Sequence, residues 1–230
     1  MTLRLLRSWK DGKAQHDGTL EDYANLAEGL LTLYQTTFEE RFFVAARELA
    51  DAILDHFEAP DGGFFDTADD AEQLMARPRN LQDNAVPSGG AMATTVLLKL
   101  AALTGDARYR DAAERAIAPI VGVAAQHPTG FALWLTAYQL AGGSIDEIAI
   151  VGDPADEDTK ALLEVAREGF RPNRVIAVSA TPAESAVPLL HDRERLDGAA
   201  TAYLCRGFAC QRPTTDPDEL RRQLEAARSS

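Results

Sequence analysis

The sequence has few of the residues that build covalent frameworks and metal centres. Only two cysteines, Cys205 and Cys210, occur in 230 residues, which excludes a small disulfide-scaffolded secreted fold and suits a reducing compartment. The four histidines, His16, His56, His127 and His191, are scattered. No His or Cys pair has metal-ligand spacing, so neither a metal nor a cofactor is expected. Positive charge is scarce: 23 basic residues face 36 acidic ones, for a net charge of −13. Nucleic acid and anionic membrane surfaces both need a basic face, so neither is an expected partner. No stretch approaches the ~18 apolar residues of a membrane-crossing helix. Residues 1–9 lack the apolar core of a signal peptide. A cytoplasmic protein is therefore expected.

Helical periodicity dominates the first 143 residues. Leu3, Leu5, Leu6 and Trp9 look like the end of a helix cut off by Gly12, as if a longer protein continued upstream. Asp17-Gly18-Thr19 predicts a helix start, with Thr19 as N-cap and Glu21 and Asp22 in the first turn, where the helix dipole favours acids. That helix runs to about Thr36, and a second from about Glu39 to Phe57. Pro60-Asp61-Gly62-Gly63 ends the second. Further helices are expected from Pro87-Ser88 to Leu103, from Ala107 to about Ala125 and from Thr129 to Ala141. Residues 30–50 align without gaps to 97–117, an offset of 67. Leu30, Leu31 and Leu33 match Leu97, Leu98 and Leu100. Arg41 matches Arg108, and Ala45-Ala46 matches Ala112-Ala113. One helical hairpin is thus used twice, and stacking hides apolar faces that one hairpin alone leaves bare.

After Gly143 the pattern changes. Residues 147–152 and 174–179 form short apolar runs flanking a helical stretch over 156–169, a βαβ unit with parallel strands. A hairpin over 202–211, turned at Arg206-Gly207, and a final helix from Pro217 complete the chain. Such a turn sets Cys205 opposite Phe208 with Cys210 diagonally across, and two buried thiols are expected. The organisation is a helical-hairpin domain over 1–143 and a small α/β unit over 144–230 packed on it.

The two hairpins are separated by the crossover 62–93. It gathers Phe65, four aspartates (Asp66, Asp69, Asp70, Asp83), two arginines (Arg77, Arg79) and the turn Asn84-Ala-Val-Pro-Ser-Gly-Gly90. A hairpin between Gly63–Asp66 and Leu74–Arg77 is expected there. Loops held by a rigid scaffold often carry function.

The segments LEDYANLAEGLLTLY (20–34), GGFFDTADD (62–70), ARPRNLQDNAVPSGG (76–90), IAIVGDP (148–154), RPNRVI (171–176) and AYLCRGFACQRPTTDPDEL (202–220) occur in one order over nearly the whole chain. Together they resemble the C-terminal part of the thioredoxin-domain proteins related to spermatogenesis-associated protein 20. The resemblance implies a mainly α fold. Its helical hairpins would form part of an αα-toroid like that of six-hairpin glycosidases and N-acylglucosamine 2-epimerases. No Cys-x-x-Cys is present, so the resemblance also implies a missing N-terminal half or a homo-oligomer completing the ring. The family turn Pro-Ser-Gly-Asn is Pro87-Ser88-Gly89-Gly90 here.

In such a toroid the inner-helix ends and their loops surround a funnel. The implied function is a carbohydrate-active or carbohydrate-binding domain with a small sugar ligand. As an enzyme it would be a glycoside hydrolase or a sugar epimerase-like protein. Glycoside hydrolysis needs two carboxyl groups across the scissile bond, and Asp66, Asp83 and Asp22 are the catalytic candidates. Glu21, Tyr23, Phe65, Arg77, Arg79, Asn84 and Ser88 are the substrate-binding candidates. Each has a structural alternative. Glu21 and Asp22 can serve the helix end, Tyr23 the core, and Ser88 as an N-cap. The arginines can pair with Asp66 or Asp83. A non-catalytic docking scaffold of a redox protein is the competing function. A thiol-redox role for Cys205 and Cys210 is the third.

Overall fold

The computed structural model describes residues 4–71 and 76–226. It divides into two compact units: Met1–Thr32, Arg41–Ala101 and Asp106–Gly142 form the first, and Leu33–Glu40, Ala102–Gly105 and Gly143–Ser230 form the second. The second unit thus takes in the helix ends at 33–40 and 102–105 as well as the chain after Gly143.

The first unit opens with a two-stranded antiparallel hairpin, β1 (Leu6–Lys10) and β2 (Lys13–Asp17). This corrects the helix expected over residues 3–9. Asp11 and Gly12 both take positive φ, 51° and 75°, the backbone of a two-residue turn whose twist matches antiparallel strands. Every residue of both strands is exposed, so there was no buried alternation to reveal them.

Four helices build the repeated hairpins: α1 (Leu20–Thr37), α2 (Glu40–His56), α3 (Gly89–Thr104) and α4 (Ala107–Ile117). Equivalent repeat positions Leu31 and Leu98, and Ala46 and Ala113, are all fully buried. The copies differ in depth. Leu33 of α1 is 44% exposed, whereas its counterpart Leu100 in α3 is fully buried. An amphipathic helix exposes one side, and a helix apolar all round belongs inside. The helix expected over 107–125 is broken. Pro119 lacks an N–H and separates α4 from α5 (Val121–Gln126). A 3-10 turn at Pro128–Gly130 leads into α6 (Ala132–Gly142).

The second unit carries β3 (Asp146–Val151), α7 (Glu157–Arg167), β4 (Arg174–Ser179), β5 (Thr201–Arg206), β6 (Ala209–Cys210) and α8 (Pro217–Ala226). The sheet order is β4-β3-β5-β6, with β3 and β4 parallel and β5 antiparallel to β3. β3 is central and buried along its whole length, as expected of a strand with neighbours on both sides and a covered face. Ile148, Ile150, Leu162, Ile176, Val178, Leu204, Leu220 and Leu224 share one core with Phe38. Phe38 occupies the position that Gly105 holds in the second repeat, and both have positive φ, 59° and 71°. Burial and an edge-on contact with Tyr34, centroids 6.2 Å apart, hold Phe38 in that backbone.

The C-terminal hairpin differs from expectation by one residue. Arg206 pairs with Ala209, so Gly207 and Phe208 form the turn, with φ of 55° and 63°. Cys205 therefore lies directly opposite Cys210, and the two are joined as a disulfide rather than left as free thiols. Register decides this outcome: a one-residue slip moves every facing pair.

Candidate functional site

The crossover is fastened to the helix ends by its backbone. Asp66 is its anchor: its N–H donates to the Pro78 carbonyl at 2.8 Å, and its own carbonyl accepts from Leu20 N at 3.0 Å. Leu20 opens α1, so this bond satisfies one of the donors left free at a helix start. The Asp66 carboxylate accepts the Asn80 N–H at 2.8 Å. The residue is fixed at both backbone groups and at one carboxylate oxygen, and its carboxyl borders a cavity of ≈ 420 Å³.

That cavity is lined by Thr19, Glu21, Asp66, Asn80 and the run from Asn84 to Gly89. The volume lies in the range of small-molecule sites. Of the residues expected at a sugar site, Asp66, Glu21, Asn84 and Ser88 meet here. Burial holds the Asp66 carboxyl above the ordinary carboxylate range, and the nearby Glu21 charge pushes it the same way. The Asn80 N–H and Arg79 oppose them. Glu21 is half exposed and is held by Arg7 at 2.6 Å. Asn80 and Thr19 also line the cavity. Neither was singled out as a ligand contact, although Asn80 lies inside the Arg77-Pro-Arg-Asn run that marked the crossover.

The remaining candidates have other partners. Asp83 accepts Ser88 N at 2.9 Å on one carboxylate oxygen and Leu133 N at 2.8 Å on the other. It therefore ties the crossover to the starts of α3 and α6. Asp22 accepts both the N–H and the hydroxyl of Thr19 at 2.8 Å, which is one half of a capping box. Tyr23 is 2% exposed, packs its ring tilted against Phe57 with centroids 5.1 Å apart and accepts the Leu5 N–H at 2.8 Å. Arg77 donates to the carbonyls of His56 and Thr67 at 2.8 and 2.5 Å, and its guanidinium lies 4.1 Å over the Phe65 ring. Arg79 grips both oxygens of Asp61 at 2.8 and 2.9 Å, as well as the Gly62 carbonyl. The arginines thus shape the loop through Asp61 and backbone carbonyls, in place of the expected pairing with Asp66 or Asp83. Ser88 caps α3, its hydroxyl accepting Ala91 N at 3.3 Å. Leu74 and Met75 of the expected hairpin partner Leu74–Arg77 lie outside the described residues.

Glycines allow this corner to close. A Cβ on Gly89 would stand 2.9 Å from Glu21 N, so the start of α3 meets the start of α1 backbone to backbone. A Cβ on Gly90 would come 3.0 Å from the Trp134 ring. Trp134 thus lies beside the turn, and its ring N–H donates to the Leu81 carbonyl at 2.9 Å.

Among the described residues, one cluster has ligand atoms close enough to share a cation: His56, Asp69 and Asp70, within 4.8 Å of one another. Its two carboxylates are already engaged. His56 Nδ1 meets Asp69 at 2.8 Å and Arg4 pairs with Asp70. No helix of the described residues is long and apolar enough to cross a membrane.

The sequence model described as glycosyl hydrolase family 47 matches residues 26–156, more than half of the chain. Asp66, Asn80 and Asp83 fall inside the matched stretch, and Glu21 falls just before it. Spermatogenesis-associated protein 20 of Rattus norvegicus is 32% identical over 214 residues, and that of Homo sapiens is 32% identical over 213. The mouse protein of the same name is 31% identical over 213 residues. Each match covers 90% of this chain and 27% of the relative's length. Helical hairpins, a fastened crossover and these matches converge on one assignment. The chain belongs to glycosyl hydrolase family 47, has a mainly α fold of the six-hairpin glycosidase kind, and is similar to about a quarter of spermatogenesis-associated protein 20.

Proposed function

We propose that the cavity beside Asp66 is a saccharide site of the glycosidase type, with Asp66 as the proton-bearing carboxyl and Glu21 as the second carboxylate. The observation that carries this reading is the Asp66 carboxyl: set by the Asn80 N–H, bordering the cavity and raised above its ordinary range by burial and by Glu21. A group that keeps its proton at higher pH is suited to protonate a leaving-group oxygen as the glycosidic bond breaks. The second carboxylate then attacks the sugar carbon or activates the water that does. Asn80, Asn84 and the Ser88 hydroxyl offer hydrogen bonds to sugar hydroxyls. Asp83, Asp22, Arg77 and Arg79 act as positioning residues that hold the crossover and α1 in place.

The described lining contains no histidine, so the carboxylate chemistry of a hydrolase is favoured over histidine-driven epimerisation. The test is turnover of a panel of aryl glycosides and reduced oligosaccharides by the protein and by Asp66→Asn. Hydrolysis that falls at least about a hundredfold in the variant, with thermal stability retained, supports the proposal. If no saccharide is turned over and none shifts the melting temperature, the reading fails.

A further inference from the structure

A second chemical group lies in the α/β unit, outside the cavity. Cys205 is buried in β5 and Cys210 is exposed at the end of β6. The Arg193 guanidinium donates to both sulfurs, at 3.2 Å to Cys205 Sγ and 3.3 Å to Cys210 Sγ. The same side chain donates to the His191 carbonyl at 3.1 Å and lies 5.6 Å over the Tyr203 ring. Its Nε is buried without a hydrogen-bond partner. Burial lowers the Arg193 pKa, which marks a cation that has lost water without gaining a carboxylate in hydrogen-bond contact. Glu147 and Asp192 favour its charge from further away. Glu147 spends its own oxygens on the turn, accepting Gly207 N at 3.0 Å and Phe208 N at 2.8 Å, and Arg206 is paired with Asp146 at 2.9 Å.

A desolvated cation resting on a neutral disulfide gains little. If the disulfide opens, the same cation faces thiolate, which is a far better partner. A neighbouring arginine lowers a thiol's pKa and makes it both a better leaving group and a better nucleophile at neutral pH. We propose that Cys205 and Cys210 form a thiol–disulfide exchange site, with Arg193 as the positioning cation and a small-molecule or protein dithiol as the substrate class.

The exchange balances. A thiolate of the incoming dithiol attacks exposed Cys210 Sγ. The new sulfur–sulfur bond forms as the Cys205–Cys210 bond breaks, and Cys205 leaves as a thiolate against Arg193. The second thiol of the substrate, deprotonated, attacks its own sulfur in the mixed disulfide and releases Cys210. Two electrons and two protons pass from the substrate dithiol, which becomes a disulfide, to the cysteine pair. In the reverse direction the Cys205–Cys210 dithiol reduces a substrate disulfide and returns to the disulfide itself. A reducing compartment favours the dithiol form of the pair.

The experiment uses the intact protein and glutathione as the probe. The pair is equilibrated with reduced and oxidised glutathione, trapped by acid and alkylation and weighed by mass spectrometry. The rate of iodoacetamide reaction is then followed against pH. The pair is expected to interconvert without loss of circular dichroism, with Cys210 reacting first. The pH midpoint of that reaction is expected below the free-cysteine value of about 8.5. Arg193→Gln should move the midpoint up by about one unit, slowing reaction at neutral pH about tenfold, and Arg193→Lys should restore most of it. Cys205→Ser keeps Arg193 and isolates Cys210, so its midpoint can be measured even if Arg193→Gln does not fold. A disulfide that glutathione cannot open in the folded protein, or a Cys210 midpoint at the free-cysteine value in Cys205→Ser, overturns the proposal.

Discussion

Asp66 and Asp83 sit on the same crossover and were equal candidates by residue type, yet the fold uses them differently. Asp83 gives each carboxylate oxygen to a backbone N–H, Ser88 on one side and Leu133 on the other. Asp66 is held mainly by its own backbone, gives one contact to Asn80 N and faces a cavity. A carboxylate that satisfies helix starts contributes stability, whereas one left partly unsatisfied beside a second carboxylate can carry chemistry. Glu21, from the start of α1, lines the same cavity and its charge raises the Asp66 carboxyl further.

The sharpest way to break this contrast is Asp83→Ala. It leaves two backbone donors without their charged acceptor and should cost about 3 kcal/mol, read from urea unfolding midpoints. Arg77→Ala removes bonds to two carbonyls and the contact over Phe65, and should cost about 2 kcal/mol in the same assay. Asp22→Ala opens the capping box with Thr19 and should cost about 1 kcal/mol. Asp66→Asn should be the mildest for stability and the most severe for any saccharide turnover. A loss of stability at Asp66 matching that at Asp83 would erase the distinction.

The pH dependence sharpens the same comparison. Asp66 holds its proton more tightly folded than unfolded, so the folded state binds more protons between the unfolded value of 3.8 and its raised value. Its contribution to stability therefore falls as pH rises through that window. Asp69 behaves in the opposite sense. Its hydrogen bond to His56 is the largest cause of a lowered pKa. Its contribution is present above the unfolded value of 3.8 and is lost as pH falls through the folded one. Unfolding midpoints between pH 3 and 6 should steepen downward with rising pH in the Asp69→Asn variant relative to the parent, and flatten in Asp66→Asn.

The helices were visible in the sequence because their apolar spacing is physical. The α1–α2 and α3–α4 pairs, the parallel β3–β4 pair and α8 all follow from periodicity and end signals. What was missed depended on less visible terms. The β1–β2 hairpin is exposed on every residue, and only Asp11-Gly12 announced it. The C-terminal hairpin turned one residue later than expected because Phe208, an unusual residue for positive φ, accepts that backbone beside Gly207. The stretch that borders the cavity is legible in the sequence, but the contacts within it rest on which oxygen meets which N–H. Spacing could not distinguish Asp66 from Asp83, nor place Asn80 at the cavity. The two compact units divide within α1 and α3, which the change from helical to strand pattern after Gly143 does not reveal.

The most direct measurement is a map of backbone amide shifts in an isotope-labelled sample titrated with oligosaccharides. The account predicts saturable shifts concentrated at Asn80, Asn84, Val86 and Ser88, weakened in Asp66→Asn and in Glu21→Gln. Saturable shifts elsewhere in the chain, with those four amides unmoved, would contradict it.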